Sequence, residues 1–377
     1  MRQTIFLFIS VLVLFSCKSN KNKDRNTVNN ETGADVIEIK YAKGFSVTDF
    51  GDFKLVDMQD PTGEDVLKYK YALAKRNSDH SKIPSDYQVI EVPVKGVICM
   101  TTLQISNFIK LNALDRIVGM TSTRFLFNEQ LNVQLKSGKT SKIGIEGEFD
   151  GELVLSLNPD LILISPFKRG GYDAITDLGI PLVSFLGYKE SSPLGQAEWV
   201  KFTGMLLGME EQAFELFEDI EQKYTRLKSL VEIVKERPAV MSGELHSGNW
   251  YVVGGNSYLA QLFRDAGADY FMNNDDESGG YYVDFETVYS KGANVDYWRI
   301  VNSFNGNFGY EELKKSDTRY SDFDAFKNKK VIYCNLRETP FYENTPVEPE
   351  VVLSDLIKIF HPNLLPEHEP VYYNLLK

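Results

Sequence analysis

Cysteine and histidine are scarce in this sequence, which contains three of the first and four of the second. Three cysteines cannot build a disulfide scaffold, and four histidines leave little for a multi-histidine metal cage. Basic residues are outnumbered as well, since 41 Lys and Arg stand against 53 Asp and Glu and the formal net charge is −12. This balance, without any basic stripe, argues against a protein whose main task is to grip nucleic acid by its phosphates.

Apolar residues, by contrast, are plentiful. They make up 43% of the 377 residues, which is enough to bury a sizeable core and excludes global disorder. The length accommodates two domains of ordinary size or one large domain. The sequence therefore predicts a folded, acidic protein that works on something other than nucleic acid.

The N-terminus resembles a bacterial lipoprotein signal. A positive start is followed by an apolar run from Ile5 to Phe15 that only Ser10 interrupts. The run is too short to span a bilayer but fits the apolar region of a secretory signal. It ends directly before Cys17, where such a signal is cut and the cysteine receives a lipid. We expect residues 1–16 to be removed; an ordinary signal peptide or a buried core helix is the alternative.

The segment after the proposed lipidation site predicts a solvated tether. Residues 17–35 contain one strongly apolar residue after the cysteine, Val28, among many polar and charged ones. The mature protein is therefore expected to be an acidic body held to the membrane by lipid in the bacterial cell envelope, facing the periplasm.

Two patterns follow one another along the rest of the chain. Alternating apolar and polar residues predict a β-rich N-terminal extension over 36–92, whose first part reads as short antiparallel strands. Apolar runs alternating with helical stretches then predict parallel sheets covered on both faces, in an N-terminal lobe over 93–192 and a C-terminal lobe over 238–377. Cys99 and Cys334 fall in such runs and are interpreted as core side chains, with a disulfide as the alternative.

A helical segment without glycine or proline, from Met209 to Arg237, lies between the lobes. It is part of an interlobe segment over 193–237 that we expect to join the lobes stiffly. Its apolar residues form one stripe, at spacings of four and three, on an otherwise charged helix: Ala213, Phe217, Ile220, Tyr224, Leu227, Val231 and Val234. Packing within a monomer is expected; a coiled-coil dimer seam is the alternative.

A short motif recurs in the two lobes. Asp150-Gly151-Glu152 opens one predicted helix and Asp284-Phe285-Glu286 opens another, and each helix precedes a strand. An acidic residue in a first turn is favoured by the helix dipole alone. Each glutamate taken singly therefore has a purely structural explanation.

Taken in order, these motifs resemble the substrate-binding proteins of ATP-driven importers for ferric siderophores, cobalamin and haem. The fold implied is α/β, with two Rossmann-like parallel-sheet lobes joined by a long rigid helix. The matching motifs are Leu114-Asp115-Arg116-Ile117-Val118-Gly119, Leu157-Asn158-Pro159-Asp160, Gly179-Ile180-Pro181, Gly254-Gly255-Asn256-Ser257, Ala266-Gly267-Ala268 and Leu353-Ser354-Asp355-Leu356.

The resemblance also implies partners. In this family one glutamate of each lobe docks on arginines of the membrane permease, which works with an ATPase. Carried over, the docking residues are Glu152 and Glu286. Rim ion pairs are individually weak, but two at a fixed separation set orientation and encounter rate.

Candidate ligand residues follow from a topological rule. Open α/β sheets bind ligands beyond the carboxyl ends of their strands, where this sequence places cations and aromatic rings. Guanidinium groups suit carboxylates or catecholates, and rings can lie against a flat ligand face. The nominated residues are Thr102, Arg124, Lys168, Arg169, Tyr172, His246, Trp250, Tyr251, Phe304 and Arg337.

Simpler roles remain open for these residues. Each arginine can be a solvated surface charge, Trp250 and Tyr251 can be hairpin residues packed on the C-terminal lobe, and a lone histidine such as His246 is more often structural than an iron ligand. No resident metal or cofactor is expected. The expected ligand is a ferric siderophore, followed by cobalamin and then haem.

An enzyme is the competing class. Ser137-Gly138-Lys139-Thr140 resembles the end of a phosphate loop, but Val133 stands where that motif needs glycine. The sequence contains no His-Glu-x-x-His, no Cys-x-x-Cys and no nucleophile elbow. A hydrolase of related two-lobed architecture, built on scattered Ser, His and Asp, is the alternative to a binding protein.

Overall fold

A computed structural model describes residues 28–29, 34–63, 68–121, 126–145, 147–166 and 172–377. The predicted signal and the lipidation site Cys17 lie outside these residues, as do Arg124, Lys168 and Arg169. Within the described ranges, no helix combines the length and apolar character needed to cross a membrane.

The first strands pair into one sheet in chain order. They are β1 Val28–Asn29, β2 Asp35–Ile37, β3 Phe45–Asp49, β4 Phe53–Gln59, β5 Lys68–Lys75 and β6 Gln88–Val92. Along β3, Phe45 and Val47 enter the core while Ser46 faces out. The antiparallel pairing expected for the first part is present, but β5 and β6 are parallel. The connection 76–87 is long enough for the crossover that a parallel pair needs.

The N-terminal lobe follows. Its elements are β7 Val97–Cys99, α1 Thr102–Lys110, β8 Ile117–Met120, α2 Glu129–Ser137, β9 Ser141–Lys142, β10 Gly144–Ile145, β11 Glu148–Phe149, α3 Gly151–Ser156, β12 Leu161–Ile164, α4 Asp173–Thr176 and β13 Leu182–Ser184. Strands β13-β12-β7-β8-β9 form a parallel sheet, and β10 and β11 form a hairpin. Every residue of β12 is buried, which is why its sequence is a continuous apolar run.

Two packed helices, α5 Pro193–Leu207 and α6 Glu210–Val231, join the lobes. They approach so closely that a Cβ built on Gly204 would lie 2.3 Å from the Cβ of Ala213. The predicted apolar stripe of α6 is confirmed, but the helix ends at Val231 rather than at Arg237. Residues 232–237 are turn and irregular chain, and the Arg237 guanidinium bonds to the carbonyl of Arg264 at 2.6 Å.

The C-terminal lobe completes the chain. Its elements are β14 Ala239–Ser242, β15 Leu245–His246, β16 Asn249–Val253, α7 Tyr258–Asp265, β17 Asp269–Tyr270, β18 Gly280–Val283, α8 Phe285–Gly292, β19 Tyr297–Asn302, α9 Tyr310–Ser316, α10 Asp324–Lys327, β20 Val331–Asn335, α11 Phe341–Asn344, α12 Pro349–Phe360 and β21 Asn374–Leu375. Strands β17-β14-β19-β20-β21 form one sheet, parallel except for β21, and β15-β16-β18 form a second, antiparallel one.

The expected fold class, two parallel-sheet α/β lobes joined by a helical segment and preceded by a β-rich extension, is confirmed. One large core contains side chains from the N-terminal sheet, both lobes and both joining helices. Cys99 and Cys334 are buried within it as free thiols, as interpreted from the apolar runs around them.

Two buried carboxylates fasten the N-terminal segment to this core. Glu198 of α5 accepts hydrogen bonds from three consecutive backbone N–H groups, of Lys40 at 2.9 Å and of the next two residues at 2.7 and 2.9 Å. Glu190 accepts from the next two, of Lys43 and Gly44, at 3.0 and 2.9 Å. Lys201 balances the Glu198 charge at 2.5 Å. We call Glu190, Glu198 and the chain 40–44 the carboxylate clasp.

The clasp predicts a large stability cost when Glu198 is removed. Glu198→Ala leaves Lys201 as an uncompensated buried cation and three N–H groups without acceptors, and we expect the free energy of unfolding to fall by about 3–5 kcal/mol. Urea unfolding measures this loss. Glu215→Ala, at an exposed position of α6, is the matched control, with an effect within about 0.5 kcal/mol. Equal stability of the two variants would contradict the role of the clasp.

Candidate functional site

Glu152 and Glu286 occupy equivalent positions in the two lobes. The Asp150 carboxylate caps α3 by accepting from the N–H of Leu153 at 2.9 Å. The Asp284 carboxylate caps α8 in the same way, accepting from the N–H of Thr287 at 2.6 Å. Each glutamate is the second residue of its helix and is exposed. The recurring motif therefore builds the same local structure twice, with one outward-facing carboxylate on each lobe.

An exposed apolar side chain lies one helical turn beyond each glutamate. Leu155 on α3 is 51% exposed and Tyr289 on α8 is 39% exposed. Residues three apart on a helix are neighbours on its surface. Each lobe thus presents a carboxylate and an apolar side chain side by side.

A contact between the lobes joins the segments that follow β8 and β20, one strand from each parallel sheet. Glu343, in α11 beyond the end of β20, accepts hydrogen bonds from the backbone N–H groups of Phe127 and Asn128, beyond the end of β8, at 2.7 and 2.9 Å. Burial raises the pKa of the Glu343 carboxyl. Lys110 of α1 pairs with Glu348 before α12 at 2.5 Å. The lobes are therefore tied together by a backbone–carboxylate contact and by an ion pair.

Phe304 and Arg337, two nominated residues, meet at the carboxyl ends of β19 and β20. The Arg337 Nε donates to the carbonyl of Ser303 at 2.9 Å. The Phe304 ring lies 5.0 Å from that of Phe308, and the Asn335 side chain donates to the Phe304 carbonyl at 3.1 Å. A ring and a cation are thus brought to the same sheet edge, both half-buried.

In the N-terminal lobe, Thr102 opens α1 directly after β7 and is half-buried. The Tyr172 hydroxyl donates to the carbonyl of Ser165 at 3.0 Å, just after β12, and its ring stacks on Phe149. Both residues therefore stand at strand ends, where the rule placed them.

His246 and Trp250 lie close in sequence but have opposite environments. His246 is exposed at the end of β15, and no cluster of metal-ligating side chains occurs in the part of the chain that the structure describes. Trp250 is 0% exposed: its ring packs against Trp298, and its Nε1 donates to the Ser242 carbonyl at 3.0 Å. Trp250 thus offers no surface to a ligand and is the packed hairpin residue of the alternative interpretation.

Tyr251 points the other way, because successive side chains of a strand face opposite sides. It pairs across the antiparallel sheet with Tyr282, the two rings being 5.3 Å apart. The two tyrosines are 46% and 60% exposed, although their rings contact each other edge to face. They form an aromatic surface on the C-terminal lobe.

Arg299 was not nominated from the sequence, because it lies inside β19 rather than after it. Its Nε donates to the Tyr373 hydroxyl at 2.8 Å and its Nη1 to the Ser242 hydroxyl at 3.1 Å. Among the described residues, no carboxylate pairs with it within 4.0 Å. The signal that could have found it is a lone cation in the buried strand sequence Tyr297–Asn302.

This fold and site define a solute-binding receptor with two α/β lobes. The chain belongs to the periplasmic binding protein family, whose model matches residues 97–337. That family consists of the substrate-binding proteins of transporters, not of enzymes.

The chain is also similar to individual proteins. An uncharacterized lipoprotein of Methanocaldococcus jannaschii is 25% identical over 95% of this chain and 92% of its own. A TroA-like periplasmic binding protein from Veillonella parvula has a TM-score of 0.56 at 19% identity, covering 76% of this chain and 95% of its own. A protein of an ABC-type Fe3+-hydroxamate transport system from Saccharomonospora viridis has a TM-score of 0.56 at 17% identity, over 71% and 94%.

A pH-dependent stability is expected from Glu350, in the first turn of α12. Burial raises the pKa of its carboxyl to about 7, and its Oε2 has no hydrogen-bond partner among the described residues. Because the folded-state pKa lies above the unfolded value, the folded protein binds the extra proton. This contribution is full below about pH 4.5 and is lost as the pH rises through 7.

Glu350→Gln removes that titration. We expect the variant to match the wild type at pH 4.5 and to be more stable by about 1–3 kcal/mol at pH 8, where the wild type must bury a carboxylate. Urea unfolding at the two pH values gives the difference. Glu232→Gln, at an exposed position, serves as control. If the Glu350→Gln variant has the same stability as the wild type at both pH values, burial does not raise the pKa of the Glu350 carboxyl.

Proposed function

We propose that the protein is the lipid-anchored receptor of an ABC importer, that it binds a ferric siderophore between its lobes and that it delivers the complex to the permease. The observation that carries the proposal is the Glu343 contact, because it joins the segments that follow the carboxyl ends of strands in the two parallel sheets. A ligand held at both edges lies between the lobes. Cobalamin and haem are the other cargoes of this class.

The side chains at these edges favour an iron chelate. Phe304 and Arg337 supply a ring and a cation, and Tyr251 supplies an exposed ring on the same lobe. Siderophore complexes are large and often anionic, so that they suit guanidinium groups and aromatic faces. The related fold of a Fe3+-hydroxamate transport protein supports this cargo.

Binding without reaction is the expected behaviour. In a titration of the purified mature protein, quenching of Trp and Tyr fluorescence should saturate at one ferric siderophore per chain, with the chelate recovered intact. The panel contains hydroxamate and catecholate siderophores, cobalamin and haem, and each iron-free chelator is the control for non-specific quenching. Binding of no member, or conversion of a member to product, would contradict the proposal and favour the enzyme class.

Tyr251→Ala tests the position of the cargo. Loss of one aromatic contact should weaken binding about 3- to 10-fold, from the worth of a stacking contact. Tyr289→Ala removes an equally accessible tyrosine at the proposed permease-facing side, and its affinity should stay at the wild-type value. Equal effects of the two substitutions would place the cargo elsewhere.

Delivery is proposed to depend on Glu152 and Glu286. They project from two identically capped helices, of which α3 packs on a second core cluster within its own lobe while the two lobes share the large core. This packing supports a fixed separation of the two glutamates. Two arginine-bearing sites on a permease would recognise such a pair. Leu155 and Tyr289 would supply apolar contacts next to the carboxylates. The lipid on Cys17 would keep the receptor at the membrane that holds the permease.

A double variant should lose uptake while it keeps ligand binding. Glu152→Ala with Glu286→Ala should keep the chelate affinity of the wild type and abolish uptake by cells that depend on this receptor. Glu129→Ala with Glu311→Ala makes the same charge change at exposed positions of both lobes and should transport normally. Normal uptake by the Glu152→Ala, Glu286→Ala variant would contradict the assignment of these two residues as docking residues.

A further inference from the structure

We infer that Arg299 is an oxyanion-binding site at the carboxyl edge of β14 in the C-terminal lobe, and that it binds a carboxylate or catecholate group of the cargo. This inference rests on the proposed function for the source of the oxyanion, but the site itself is defined by the geometry of Arg299 and its neighbours.

Arg299 stands at the edge where ligands bind, although it lies inside its own strand. In the register of the sheet it pairs with Ser242, which is the last residue of β14. The neighbouring strand therefore ends beside it, and the backbone N–H of Gly243, one residue on, bonds to the Arg299 carbonyl. Its side chain also reaches the Ser242 hydroxyl. The guanidinium thus belongs to the carboxyl edge of β14.

No carboxylate of the described residues balances the charge of this guanidinium. Both of its hydrogen-bond partners, on Tyr373 and Ser242, are neutral hydroxyl groups. Across the described ranges no Asp or Glu comes within 4.0 Å of it. An arginine stays protonated in proteins, and burying a cation without a counter-charge is costly. A bound oxyanion would supply the missing charge.

The guanidinium also keeps free donors for such a group. Arginine carries five N–H donors, of which the structure uses one on Nε and one on Nη1. Its Nη2 donates no hydrogen bond within the described part of the chain, and the side chain is half-buried rather than sealed. The remaining donors form the planar fork that binds a carboxylate or catecholate through two oxygens.

Two further tyrosines, Tyr258 and Tyr342, lie near Arg299. Tyr258 is half-buried, and its hydroxyl makes no hydrogen bond with any described residue. The Arg299 charge acts on the pKa of this phenol, which burial raises. The Tyr342 side chain is 46% exposed and stands close enough for its charge to act on Arg299 and on Tyr251. Tyr342 therefore lies near both Arg299 and Tyr251.

The test uses two iron-free oxyanions as probes, 2,3-dihydroxybenzoate and citrate, with the mature protein and isothermal titration calorimetry. We expect at least one probe to bind the wild type and to lose at least 10-fold in affinity in Arg299→Met. Arg299→Lys, which keeps the charge but not the fork, should lie between them. Failure of both probes to bind the wild type, or unchanged affinity in Arg299→Met, overturns the inference.

A second variant guards against loss of fold. Tyr258→Phe removes only a hydroxyl that has no partner among described residues, so the melting temperature should not change. Its probe affinity should fall about 3-fold or more, whereas a purely structural Arg299 would leave it unchanged. The siderophore titration separates the two proposals. If the protein binds ferric chelates but neither probe, the proposed function stands and the oxyanion site is wrong. If it binds a probe but no chelate, the oxyanion site stands and the proposed function is wrong.

Discussion

The structure depends on one buried helix, α5, to which the N-terminal extension and both lobes attach. All of its residues except Gln196 are buried, and its Glu198, with Glu190 just before it, holds the chain 40–44 through backbone N–H groups. Gly44 fits there because a Cβ would lie 2.7 Å from the Trp199 ring. A helix enclosed in this way cannot act as a flexible hinge, since any large movement would open the shared core and expose buried carboxylates.

That constraint explains how a receptor without chemistry of its own can work. In the proposed function, two lobes on a stiff support would hold the helices of Glu152 and Glu286 at one separation, and a permease would recognise that separation by charge. The lobes are already tied by Glu343 and by the Lys110–Glu348 pair, so that only a modest closure around a ligand is open to them. In the proposed function, selectivity would lie in the shape and charge of the sheet edges rather than in a large motion.

Sequence patterns predicted the elements with a clear period and missed features set by tertiary contacts. The stripe of α6 and the apolar runs of the parallel strands follow directly from burial. The end of α6 does not, because no glycine or proline marks it: the helix stops at Val231, six residues before the Arg237 whose side chain bonds to a distant carbonyl. Trp250 was nominated by its place after a strand, but the pleat turns it into the core. The sequence does not reveal Arg299 as a strand-end residue, because it lies inside β19. It stands beside the end of the neighbouring strand β14, and that pairing is visible only in the structure.

The central claim is that this protein holds an intact iron chelate and passes it on. Native mass spectrometry of the purified mature protein, mixed with the panel of ferric siderophores, cobalamin and haem, tests it most directly. The account predicts one added mass per chain, equal to that of a complete ferric siderophore. No added mass with any member, or the mass of an altered ligand, would contradict it.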